Sequence, residues 1–173
     1  MSGGSDFERD LINTLNENSD NRYKATRFKQ HRFSSQLCDV IVLSDQPQYY
    51  KAIECKSLKA DQDNLKDEKK GSAGKLYFTQ HFSTNDDGKH QLDRMKQFID
   101  KSHMKGVIAV SIKRGPGKRR LYYALDFQEV YEKYKADQSG ITFDYMKENG
   151  VELLNRKQNG LVKNYQLDKI LQI

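Results

Sequence analysis

The run Leu37-Cys38-Asp39-Val40-Ile41-Val42-Leu43 constrains this chain more than any other stretch. It is β-branched and almost wholly apolar, so it reads as a strand covered on both faces. Such a strand needs layers on either side of its sheet, and helices are the usual cover. A single charge, Asp39, interrupts it. The following Ser44-Asp45-Gln46-Pro47-Gln48 should turn the chain. Residues 49–56 then read as a second strand, paired antiparallel with the first as a hairpin.

Periodicity places the other elements. Phe7, Leu11, Ile12 and Leu15 predict a helix over 6–18, capped by Ser5 after a flexible leader. A strand over 23–28 and a loop over 31–36 lead to Asp39. Residues 57–75 are rich in Lys, Asp and Gly and have no apolar period, which predicts an exposed, mobile excursion. A short strand over 76–82 precedes a helix over 90–101, striped by Leu92, Met95, Phe98 and Ile99. Residues 107–112 form another buried strand. After the basic turn Lys113-Arg114-Gly115-Pro116-Gly117-Lys118-Arg119-Arg120, residues 121–125 complete a second hairpin. Asp126 caps a helix to about 135. The order is α-β-β-β-α-β-β-α. The expected class is α/β, a mixed sheet flanked by helices in a single domain over 1–173. Its core covers about 5–135, and an extension over 136–173 alternates short elements in no readable order.

Composition excludes several classes. With 10 Tyr and 8 Phe in 173 residues, the chain can bury a core although only 36% of it is hydrophobic. No run approaches the ~18 apolar residues of a membrane helix, and the first residues lack a signal-peptide pattern. The two cysteines cannot form a disulfide framework, and no Cys/His spacing suits zinc. A reducing, cytoplasmic compartment and no membrane are therefore expected. The net charge of +6 favours an anionic partner, nucleic acid first.

Asp39 opens one buried strand, while Glu54 and Lys56 close the next and share a face by alternation. The hairpin should bring two carboxylates and an ammonium together at one edge of an apolar sheet. Charges there are costly unless paired or metal-bound. Phosphodiester hydrolysis uses this set. Carboxylates offer Mg²⁺ hard oxygen ligands, the ion activates water and the phosphoryl group, and the lysine positions water or stabilises growing charge. The plain alternative is an ion pair at a strand end.

The pattern Asp39…Glu54-Cys55-Lys56 resembles the PD-(D/E)XK nuclease superfamily. With Glu8-Arg9 on a first helix, Arg27 late in a first strand and Ser34-Ser35 before the aspartate, it resembles archaeal-type Holliday junction resolvases over about 5–125. Cys38 stands where the superfamily's name expects proline. The resemblance implies a restriction-endonuclease-like αβββαβ core with a C-terminal extension. It also implies a metal-dependent, structure-selective DNA endonuclease that is a homodimer on branched DNA and uses Mg²⁺, with Mn²⁺ as a substitute. Glu8, Asp39, Glu54 and Lys56 would be catalytic, the three carboxylates holding metal. Restriction-type, nicking or exonucleolytic chemistry on the same site, or a non-catalytic nucleic-acid-binding module, are the alternatives.

Several residues carry two readings. Glu8 could instead bond back to Ser5 in a capping box, although Glu8, Leu11, Ile12 and Leu15 form a stripe that aims it at the sheet. Arg9, Arg27, Ser34 and Ser35 are DNA contacts or solvated groups. Arg114, Lys118, Arg119 and Arg120 are phosphate contacts or a solvated hairpin tip. Gln91, opening the second long helix, is a possible site residue, as a helical glutamine is in other nuclease branches. Cys38 and Cys55 should point to the sheet face opposite the carboxylates as inert thiols. His31, His81, His90 and His103 read as polar surface, although His81 and His90 could approach the site through the long excursion.

Overall fold

A six-stranded sheet is built around the strand that carries Glu54. The computed structural model describes residues 3–17, 19–29, 36–60, 74–153, 157–158, 161–162, 170–171 and 173. In chain order these form α1 (Gly3–Glu17), β1 (Lys24–Arg27), β2 (Val40–Leu43), β3 (Lys51–Lys59), β4 (Leu76–Tyr77), α2 (Phe78–His81), α3 (Gln91–Ser102), β5 (Lys105–Lys113), β6 (Leu121–Asp126), α4 (Phe127–Lys135), β7 (Gly140–Ile141), α5 (Phe143–Asn149), β8 (Val151–Glu152), β9 (Lys157–Gln158) and β10 (Leu161–Val162). A 3₁₀ turn, Pro47–Tyr49, joins β2 to β3.

The large sheet has the order β1-β2-β3-β5-β6-β8. Every neighbouring pair is antiparallel except β3 and β5, which run parallel from Lys51↔Lys105 to Lys59↔Lys113. Parallel neighbours need a crossover, and β4, α2 and α3 lie within it. This is the mixed α/β sheet expected from the two apolar runs.

Each face of the sheet has its own core. On one, Phe7, Leu11 and Leu15 of α1 pack on Val40, Val42, Ile53, Val107 and Ala109, together with Ile170 and Leu171. On the other, Leu92 and Met95 of α3, Phe127 and Val130 of α4 and Met146 of α5 pack on Ile41, Ala52, Leu58, Ile108 and Val110. Burial of each such side chain stabilises by about 1.5–3 kcal/mol. Asp126 caps α4, its Oδ1 accepting from the amides of Gln128 (2.7 Å) and Glu129 (3.2 Å).

Three local expectations are corrected. Helix α1 starts at Gly3, so Ser5 lies within it, not at its cap. Residues 57–60 do not leave the fold: β3 runs on to Lys59 beside β5, with Leu58 and Ala60 buried. Pairing with β5 outweighs their polar composition; residues 61–73 of the expected excursion lie outside the described residues, and Gly74 and Lys75 at its end are buried and half-buried. The expected strand over 76–82 is strand only at Leu76–Tyr77, where it pairs with β7. Phe78 and Phe82, four apart and both buried, put a turn of helix there instead. The described residues beyond 136 do alternate short elements, and the pairing supplies their order: β7 pairs with β4, and β8 extends the large sheet beside β6.

Candidate active site

The β2–β3 hairpin brings Asp39 to Glu54. Val40 pairs with Ile53, and Asp39 continues the ladder just before β2. The Asp39 amide donates to the Ile53 carbonyl (3.0 Å), and its own carbonyl accepts from the Phe28 amide (2.8 Å). Its Oδ2 accepts from the Cys55 amide (2.7 Å) and its Oδ1 from Gln36 Nε2 (3.1 Å). Alternation along β3 then sets Glu54 and Lys56 together, with Lys56 Nζ 2.6 Å from Glu54 Oε1. Gln91, the first residue of α3, closes the group. It donates from Nε2 to Glu54 Oε1 (2.8 Å) and accepts from Lys56 Nζ (3.4 Å) and from the Ser83 amide (3.3 Å).

Glu54 is the most deeply buried member, its side chain 4% exposed. Its Oε2 is buried and has no hydrogen-bond partner among the described residues. Burial pushes the Glu54 carboxyl up to about 7, Lys56 works against that shift and the charge of Asp39 adds to it. Burial raises Asp39 as well, opposed by the Cys55 amide and by Lys56. Lys56 Nζ also lies 4.7 Å from the centre of the Phe82 ring, an arrangement that favours a cation.

These groups form the floor of an open cleft of about 440 Å³. Residues 79–84, from α2 and the turn after it, form its wall. The wall was not legible in the sequence: His81 lines the cleft and is not simply polar surface. His90 is likewise structural, capping α3 through Nδ1, which accepts from the Leu92 amide (3.3 Å). The only signal for either had been the histidine itself.

The other expected residues lie around this group. Glu8 is buried and bonded by the Arg27 guanidinium, and its charge contributes to the raised Asp39. Arg9 is exposed and pairs with Asp6 (3.1 Å) and Asp10 (3.9 Å). Arg114, Lys118, Arg119 and Arg120 lie at the β5–β6 tip, where Arg114 Nε donates to the Arg119 carbonyl (2.7 Å). Ser34, Ser35 and His31 lie outside the described residues. Cys55 packs on the α1 face, away from Glu54 and Lys56, as alternation requires. Cys38 does not: β2 begins only at Val40, and its side chain joins the core on the α3 face. Burial raises both thiols well above their ordinary range, which leaves them inert.

No group of three or more His, Cys, Asp or Glu placed to hold a metal occurs among the described residues. Asp39 and the unpartnered oxygen of Glu54 do suit Mg²⁺, which commonly takes one or two carboxylates and keeps several waters.

No family model matches the chain, and no curated protein matches it. Among solved structures it is similar to the Holliday junction resolvase of the archaeal hyperthermophile Archaeoglobus fulgidus. The TM-score is 0.53 at 18% identity, over 86% of this chain and 95% of that one. The likeness is one of fold: this chain has the helix-flanked mixed sheet of a resolvase-like nuclease. Among the described residues no helix is long and apolar enough to cross a membrane.

Proposed function

We propose that this chain is a metal-dependent endonuclease selective for branched DNA, acting as a Holliday junction resolvase. One observation carries the reading: Glu54 is buried with one oxygen held by Lys56 and Gln91 and the other unpartnered, beside Asp39 in an open cleft. A buried carboxylate left half-satisfied costs stability. A cation would repay that cost.

Asp39 and Glu54 would hold Mg²⁺, or Mn²⁺ in its place, and Glu8, bonded by Arg27 and not grouped with them in the metal-free protein, would complete the acidic set on leaving that partner. The bound ion would supply a Lewis acid for the phosphoryl group and a water of lowered pKa. Lys56, fixed by Glu54 and Gln91, stabilises the negative charge that grows on the phosphoryl oxygens. Gln91 keeps Glu54 and Lys56 in register by bonding both. Arg9, Arg27, Ser34, Ser35 and the basic tip would contact phosphates without reading sequence. Each chain carries one such cleft, so symmetric incision of two strands calls for a homodimer.

Labelled four-way junctions, flaps, linear duplexes and single strands, each with Mg²⁺ or EDTA, test the reading. Paired symmetric cuts in the junction, dependent on Mg²⁺, are expected. Asp39→Ala, Glu54→Ala and Lys56→Ala should each lower cleavage by about 10²–10³-fold or more and leave DNA binding in place. A monomer that cuts linear DNA as readily would point to a restriction-type, nicking or exonucleolytic enzyme. Binding without any cutting would point to a non-catalytic module.

A further inference from the structure

The cleft holds one ionisable group that the mechanism above leaves idle. His81, the last residue of α2, lines the wall that rises over the carboxylate floor. Its Nδ1 lies 3.1 Å from the Tyr77 carbonyl oxygen. A carbonyl only accepts, so Nδ1 carries a proton and donates it there. Nε2, at the far edge of the ring, is then the nitrogen left to meet a ligand. The ring is further fixed by stacking on Tyr77, with centroids 6.4 Å apart and an interplanar angle of 10°.

The wall itself is anchored. His90 Nε2 donates to the Phe78 carbonyl (3.1 Å), which ties the start of α2 to the cap of α3. Phe78 meets Tyr134 edge-on at 5.7 Å. Phe82, next to His81, lies against the Lys56 ammonium. The imidazole therefore stands on a braced turn next to the residue that packs on Lys56. Among the described groups lining the cleft, Asp39 and Glu54 are the metal ligands of the proposed reaction, and Lys56 is bound to Glu54. The remainder of the lining is amide, hydroxyl and phenyl. His81 is the one imidazole among the lining groups, the side chain most often used to move a proton in catalysis.

Resting on the nuclease reading, we propose that His81 is a catalytic residue, the general acid that protonates the leaving oxygen of the phosphodiester. Water oxygen bonds to phosphorus as the bond from phosphorus to the bridging oxygen breaks. The electron pair stays on that oxygen, which takes the Nε2 proton of the doubly protonated ring and leaves neutral imidazole with its proton on Nδ1. The proton lost by the water passes to solvent, and solvent returns one to Nε2.

The test compares ordinary DNA with DNA carrying sulfur in place of the bridging oxygen that leaves. A thiolate departs without a proton. His81→Ala and His81→Asn should each slow cleavage of ordinary DNA by about 10²-fold and cut the sulfur substrate at nearly the wild-type rate. The Asn variant keeps an N–H donor for the Tyr77 carbonyl, which separates loss of the acid from loss of the bracing bond. Melting temperature and metal-free affinity for the same DNA should match wild type for both variants. Equal losses on the two substrates, or wild-type rates on both, would overturn the assignment. Failure of the wild type itself to cut any DNA would instead remove the nuclease reading, and this one with it.

Discussion

Burial lifts the Glu54 carboxyl of the metal-free protein to about 7. An acid whose folded value lies above its unfolded one binds more protons when folded. Stability then falls as pH rises from the unfolded value, about 4.3, through the folded one. Glu54 alone sets a loss on the order of 3 kcal/mol across that window, and Asp39 shifts the same way. In EDTA, wild type should therefore lose melting temperature from pH 5 to pH 8 more steeply than Glu54→Gln. Equal slopes would mean that Glu54 is not strained. Mg²⁺ displaces the proton, so it should stabilise more at pH 8 than at pH 5.5. Glu8→Gln breaks a pair whose Arg27 partner is 45% exposed, so stability should change by less than about 1 kcal/mol. Its cleavage should nevertheless drop, since an amide is a poor Mg²⁺ ligand. Normal activity would leave Glu8 as an anchor for Arg27. Asp39, Glu54 and Lys56 were legible in the sequence because alternation along a strand is a local rule. Cys38 was misplaced because the strand it seemed to share with Val40 begins one residue after Asp39. His81 stood out only as one of two histidines able to approach the site, because its value depends on which wall α2 builds.

Among the elements, β3 is longer and α2 is helical where a strand was expected. Both were decided by partners distant in sequence. Lys59 pairs with Lys113, and Phe78 and Phe82 sink into the core shared with α3 and α4. The long helices needed no such help, since Phe7, Leu11 and Leu15, or Leu92 and Met95, already mark one face. Helix packing over β5 also hinges on Gly106. A Cβ there would lie 2.4 Å from Ile99 Cδ1 and 2.5 Å from Phe127 Cβ. Ile99 can turn aside, but Phe127 Cβ is fixed to the backbone of α4. Gly106→Ala should destabilise by about 1–3 kcal/mol, as overpacking does. Urea denaturation would show this as a lower midpoint at unchanged slope, and an unchanged midpoint would mean that α4 moves freely.

Across the whole molecule, the parallel pairing of β3 and β5 sends both strands toward the same end of the sheet. Glu54 and Lys56 sit at the middle of β3, level with Ile108 and Val110, and the basic tip follows Lys113 at the end toward which both strands run, so the cationic loop lies a few residues of strand beyond the acidic floor. Neutralising Arg114, Lys118, Arg119 and Arg120 together should weaken DNA binding and flatten its salt dependence by up to about four phosphate contacts. The cut positions should stay the same. An unchanged slope would make the loop a solvated turn.

The same parallel pair bears on the order in which the protein comes into being. Asp39, Glu54 and Lys56 are close in sequence, yet Gln91 and the central neighbour β5 arrive much later in the chain. A nascent chain that has reached only the end of β3 holds the reactive side chains on the open edge of the β1-β2-β3 sheet, without Gln91 or the wall of residues 79–84. Contacts that close so long a loop form slowly. Hydrolytic capacity should therefore emerge with the cooperative folding of the complete sheet, and the half-made chain should be harmless to the nucleic acid around it.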